Sequence, residues 1–276
     1  MKTFLIIALL LFSITLASTS PITHNLNNLN QESNLKSNLN SQPKTLPKGN
    51  LKDIPDYFNT HEEWPHCKLG VKNQGHCTSY WAFASTEVLS DRFCISTSGA
   101  VTVNLSAQDL VSCDYFNKGC KGGDLTQAWF TLKWKGVVTD ACYPYVSGDG
   151  FEPACQWFNF TCEDQSPVTK FYAKDYYHFT SIEEIKRNML LKGPISTTFV
   201  LYDDFTAHKT GIYVRKSDHK IGSHSVKVVG WGTDNNLDYW IAQNSWGEAW
   251  GEAGFFKIKE GECEFEMNMI AGDPYY

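Results

Sequence analysis

No two of the nine cysteines in this 276-residue chain stand in C-x2-C spacing. That absence speaks against a structural zinc site, which draws its ligands from such pairs. Beyond the first residues there is no apolar run near the roughly 20 residues a membrane-spanning helix needs, so no membrane span is expected. Positive charge is not in excess: 24 Lys and Arg stand against 30 Asp and Glu, for a net charge of −6. A net anion is not drawn to nucleic acid or to an acidic bilayer, and neither is expected as a partner. No internal repeat and no cofactor motif is found, and no cofactor or metal is expected. Aromatics are nearly missing from residues 18–53, where NLNNLNQESNLKSNLNSQ carries neither a helical stripe nor strand alternation. This stretch reads as a flexible tail or a degenerate pro-segment.

What is present begins with a signal-peptide pattern over residues 1–17. Lys2 is the positive flank, Phe4 to Phe12 the apolar run, and Thr15 and Ala17 fit a small-residue cleavage site. The product is expected in the secretory pathway, outside the cell or in the lumen of a lysosome or vacuole. Cysteines in such a compartment form disulfides. Eight of them, Cys67, Cys77, Cys94, Cys113, Cys120, Cys142, Cys155 and Cys162, crowd into one stretch, and Cys263 stands alone. An even cluster plus one remainder suggests four bridges and one free thiol, while spacing leaves the connectivity open.

From residue 54 the chain becomes rich in hydrophobic and aromatic residues. Trp81, Ala84, Val88 and Leu89 fall at helical spacing and predict a buried amphipathic helix over 80–95. Further helices are predicted over 106–113 and 125–135, the latter stopped by Gly136. Another starts at Ser181, with Glu184 completing a capping box and Gly193-Pro194 ending it. Strand-like runs follow at 196–201, 225–231, 239–243 and 255–259. A helix-rich first half and a strand-rich second half predict an α+β fold of two lobes.

Three segments carry the chemistry: Gln74-Gly75-His76-Cys77-Thr78-Ser79-Tyr80-Trp81, then Ser223-His224-Ser225, then Gln243-Asn244-Ser245-Trp246-Gly247. In order and content they resemble the papain family of cysteine proteases, whose nucleophilic cysteine is followed by His and Asn roughly 130–150 residues downstream. Here His224 and Asn244 follow position 80 by 144 and 164 residues. WPHC at 64–67, DRFCI at 91–95, GCKGG at 119–123, CYPY at 142–145 and GFFKI at 254–258 resemble the cathepsin B branch. The resemblance implies a papain-like domain over 54–276, with a helical left lobe, a β-barrel-like right lobe and a cleft between them. It implies Gln74 as oxyanion donor, His224 as base, Asn244 as its orienter and Trp246 as cover, with Gly122 and Gly123 lining the cleft. It also implies the pairs Cys67–Cys94, Cys77–Cys120, Cys113–Cys155 and Cys142–Cys162, leaving Cys263 free.

The nucleophile position of the motif holds Tyr80. A phenol ionises near 10, against about 8.5 for a free thiol. Its oxygen lies several bonds beyond the place of the sulfur, so the ring would fill the space of the scissile carbonyl. Reacting atoms need to approach to about 3–3.5 Å, and this substitution removes that geometry. Tyr80 is expected to plug the cleft and hydrogen-bond His224. Two departures agree. No histidine occurs between Cys142 and Cys162, where cathepsin B carries the paired histidines of its occluding loop. Asn268 falls near the acidic residue of that branch's S2 pocket. The expectation is a monomeric, catalytically inactive homologue that binds a peptide or protein ligand. An active endopeptidase and a structural or matrix protein are the alternatives.

Overall fold

The computed structural model describes residues 54–156 and 160–276. The expected signal peptide and Asn-rich tail lie outside the described residues. The helices are α1 (Thr60–Glu63), α2 (Tyr80–Ser96), α3 (Ala107–Cys113), α4 (Leu125–Trp134) and α5 (Ile182–Lys192). Their starts follow capping chemistry: Ser106, Asp124 and Ser181 each accept the N–H of the residue three positions on. The Glu184 carboxylate reaches back to the N–H of Thr180, one residue before the position a capping box would use. Gly193 ends α5 at φ +92°, a conformation side chains disfavour.

Helix α2 differs from its expected amphipathic character. Every residue from Tyr80 to Cys94 is buried, including Ser85, Glu87, Asp91 and Arg92. The hydroxyls bond back to the helix, as Ser85 does to the Trp81 carbonyl at 2.9 Å. Arg92 donates to the Pro194 carbonyl, to Asn188 and to the Tyr177 hydroxyl. A polar residue in a helix signals exposure only when no partner waits on the neighbouring element, and here partners do.

The strands are β1 (Phe58–Asn59), β2 (Tyr172–His178), β3 (Ile195–Tyr202), β4 (Ile212–Tyr213), β5 (Lys220–Asp234), β6 (Leu237–Gln243), β7 (Phe255–Lys259) and β8 (Ile270–Tyr275). They form one sheet in the order β2-β8-β3-β5-β6-β7-β4, with β1 added to β5. Its pairs are antiparallel except β4 with β7. One hydrophobic core gathers α2, α3 and α4 around Trp81, Leu89, Leu110 and Trp129. A second lies on the sheet around Phe199, Phe205, Trp240 and Phe256.

Disulfides join Cys67–Cys94, Cys77–Cys120, Cys113–Cys155 and Cys142–Cys162. Cys263 is a buried free thiol in the sheet core. His66 lies beside Cys67 and Cys94, but those sulfurs are bonded to each other and offer no thiolate to a metal. No helix among the described residues is long and apolar enough to cross a membrane.

Candidate active site

Strand pairing places the imidazole. His224 of β5 stands opposite Phe199 of β3 in the antiparallel ladder, so both side chains share a face. The Phe199 ring lies 5.9 Å from the imidazole, centroid to centroid, and Trp246 lies 4.7 Å away. Asn244 directly follows β6, and its Oδ1 lies 2.7 Å from His224 Nε2. That oxygen also accepts the Ser245 N–H at 2.8 Å, which sets the amide's orientation. His224 Nε2 is therefore the donor, leaving Nδ1 free of Asn244. Burial pushes the imidazole down to about 4, against a smaller upward effect of the Asn244 bond. The ring is neutral at physiological pH.

The helical wall places the rest. Tyr80 is the first residue of α2 and is 7% exposed. Its ring meets the His224 ring edge-on at 5.2 Å. The hydroxyl does not bond His224, contrary to expectation. It lies 3.2 Å from where a Cβ on Gly122 would stand. The phenol therefore covers the backbone of Gly122, whose φ of +99° already favours glycine. At Gly123 the missing Cβ makes room for the protein itself: an added carbon would stand 2.7 Å from Trp81 and 2.6 Å from Asn117 Oδ1.

Gln74 is held at both ends of its amide. Nε2 donates to the Cys77 carbonyl at 2.9 Å, and Oε1 accepts from Ser245 Oγ at 2.7 Å. A carboxamide nitrogen carries two hydrogens, so one remains for a ligand. The motifs gave no role to Tyr145, yet its hydroxyl donates to the Gln74 carbonyl and meets Ser79 Oγ, both at 2.8 Å. Tyr145 thereby ties the Gln74 loop to the start of α2. Its place in CYPY was visible, but the 71-residue span to Gln74 was not. Asn268 is exposed just before β8, and the bonds and ring contacts joining Gln74, Tyr80, His224 and Asn244 do not reach it.

The structure thus brings Gln74, Tyr80, Gly122, His224, Asn244 and Trp246 together. Chemically the site offers an oriented neutral imidazole and one free amide hydrogen. A phenol ring fills the space between the base and the glycine backbone. Neither Ser79 nor Cys77 offers a substitute nucleophile: the Ser79 hydroxyl is engaged with Tyr145, and Cys77 is in a disulfide.

Residues 54–272 match the family described as papain family cysteine protease. A cathepsin B of Dictyostelium discoideum is 37% identical over 235 residues, spanning 80% of this chain and 75% of that protein. The cathepsin B-like cysteine proteinase 5 of Caenorhabditis elegans is 38% identical over 264 residues, with coverage of 80% and 75%. Among solved structures, a procathepsin B from Trypanosoma congolense superposes with a TM-score of 0.74 at 31% identity, covering 85% of this chain and 84% of that one.

Proposed function

The chain belongs to the papain family of cysteine proteases, and from that premise we propose that it is a cathepsin B-like homologue that does not hydrolyse peptides, because Tyr80 stands where the family's cysteine nucleophile belongs. One observation carries the proposal. The phenol lies across the reaction centre, its ring against His224 and its hydroxyl over Gly122. A peptide carbonyl would have to occupy that volume. The thiolate–imidazolium pair of such enzymes needs a readily ionised atom beside the base. Here the base faces an aromatic edge and stays neutral.

The role is binding: a peptide or protein ligand held along the cleft rim, where Gln74 keeps one amide hydrogen and the central position is filled. The four disulfides and the cathepsin B relatives support a secretory or lysosomal setting. The test is turnover of a generic fluorogenic peptide by the purified chain at mildly acidic pH, with and without the thiol-directed inhibitor E-64. No E-64-sensitive cleavage is expected. Inhibitor-sensitive cleavage by the wild-type chain overturns the proposal.

A further inference from the structure

On its side facing β5 and β6, α2 carries two carboxylates one turn apart. Glu87 and Asp91 are both buried, 5% and 2% exposed. Lys227 of β5 lies between them, its Nζ 2.9 Å from Asp91 Oδ2 and 3.6 Å from Glu87 Oε2. The His61 ring, near the start of the described chain, comes within 3.9 Å of Asp91; burial lowers its proton affinity more than Asp91 raises it, so it adds no full positive charge at pH 7. Lys72 acts on Glu87 from farther away and is itself paired with Asp140. Two carboxylates thus meet one contacting cation, leaving an excess negative charge in a site without solvent. Such a charge is strongly disfavoured.

The hydrogen-bond inventory points to the remedy. Gln243, opposite Lys227 in the β5–β6 ladder, donates Nε2–H to Glu87 Oε2 at 2.8 Å. Its own Oε1 is buried without a partner, and so is Glu87 Oε1. Both side chains line the same narrow space between α2 and the sheet. Two acceptors cannot satisfy each other, but a protonated carboxyl oxygen is a donor. We propose that Glu87 is a proton-binding site, held in the native fold as a carboxylic acid paired head to tail with the Gln243 carboxamide. One proton on Oε1 supplies a bond to Gln243 Oε1, completes a two-bond ring and cancels the excess charge. Burial first, then Asp91, opposed by Lys227, raises this carboxyl from 4.5 to about 7. The proton is therefore taken up at the mildly acidic pH of a secretory or lysosomal lumen. Gln243 directly precedes Asn244, the partner of His224.

The experiment is an isotope-edited infrared pH titration of the full chain, with 13C in the glutamate carboxyls, for the wild type, Glu87→Gln and Gln243→Leu. One protonated-carboxyl stretch is expected to appear as pH falls through about 7, well above the ordinary carboxyl range. It is expected to vanish in Glu87→Gln and to shift in frequency in Gln243→Leu, which removes the acceptor. A band unaffected by Glu87→Gln, or no carboxyl protonating above about pH 6, overturns the proposal. Should Glu87→Gln not fold, the Gln243→Leu spectrum decides, and an unmoved band overturns it. Peptide turnover plays no part in this readout, so its outcome is separate from that of the Tyr80 proposal.

Discussion

The two walls of the site differ in kind. The sheet wall has the arrangement an imidazole base needs: Nε2 bound to Asn244 at 2.7 Å, and Phe199 and Trp246 packed against the ring. The helix wall offers a neutral aromatic ring instead: α2 begins at Tyr80, Gln74 and Tyr145 brace the loop before it, and the phenol fills the gap beside His224. The contrast separates orientation from charge. The sheet orients His224, but an imidazole in an apolar setting charges near neutral pH only if an anion faces it, and the opposite wall supplies none.

The largest expected effect comes from supplying that anion. In Tyr80→Cys, the thiol at position 80 should react with iodoacetamide at pH 5–6 about 10²–10³ times faster than a free thiol, whose thiolate fraction there is minute. Adding Asn244→Ala should remove most of the gain. An ordinary thiol rate in Tyr80→Cys would mean that the sheet wall is no longer fit to pair with it.

Next in size is the pH dependence that the sheet wall imparts. His224 has a folded value of about 4 against 6.5 in an open chain. Below 6.5 the unfolded chain takes up a proton that the native ring refuses until about 4. Native stability from this group is therefore complete above 6.5 and falls as pH drops toward 4, by roughly 3 kcal/mol. Glu87 works in the opposite sense. Its raised value means the native state holds a proton the unfolded chain has lost, so its stabilisation grows as pH falls from 7 toward 4.5. The two slopes oppose each other across their shared window. In urea unfolding, Glu87→Gln should therefore lose more stability toward acid across that window than the wild type does. A wild-type and a Glu87→Gln profile of equal slope would contradict this.

The smallest effect tests what holds the plug. Tyr80→Phe should change stability by no more than about 0.5 kcal/mol, because the hydroxyl makes no bond to His224. Tyr80→Ala should cost about 3 kcal/mol, as for other large aromatic truncations in a packed site. A large loss in the Phe variant would mean that the hydroxyl, not the ring, anchors the side chain.

The parts legible in the sequence were those written in contiguous residues. The helix beginning at Tyr80, the runs at 196–201 and 239–243 and the three catalytic-type motifs could be read directly, and the two-lobe α+β architecture followed from their order. Strands β2 and β8 were missed for physical reasons. Strand β2 alternates poorly because Lys174 and Asp175 are both exposed and a register shift interrupts its pairing. Strand β8 contains Gly272 and Pro274, which ordinarily argue against a strand. It tolerates the proline because β3 pairs with it only at Ile270, leaving no ladder on that side of Pro274. The polar interior of α2 was equally hidden. Ser85 bonds back to its own helix, while Glu87 and Arg92 look like solvent-facing residues until Gln243, Lys227 and Pro194 are brought to them from 100 or more residues away. Tyr80 was legible as an obstruction, but its direction was not: residue type alone gave no way to choose between bonding His224 and lying over Gly122.

One buried sulfur has a practical consequence. Cys263 sits in the sheet core, where burial pushes its thiol up to about 12, and the other eight cysteines are locked in pairs. The native protein is therefore silent toward alkylating dyes. Any stoichiometric dye uptake by a folded position-80 cysteine variant reports on that single engineered atom, with no background to subtract.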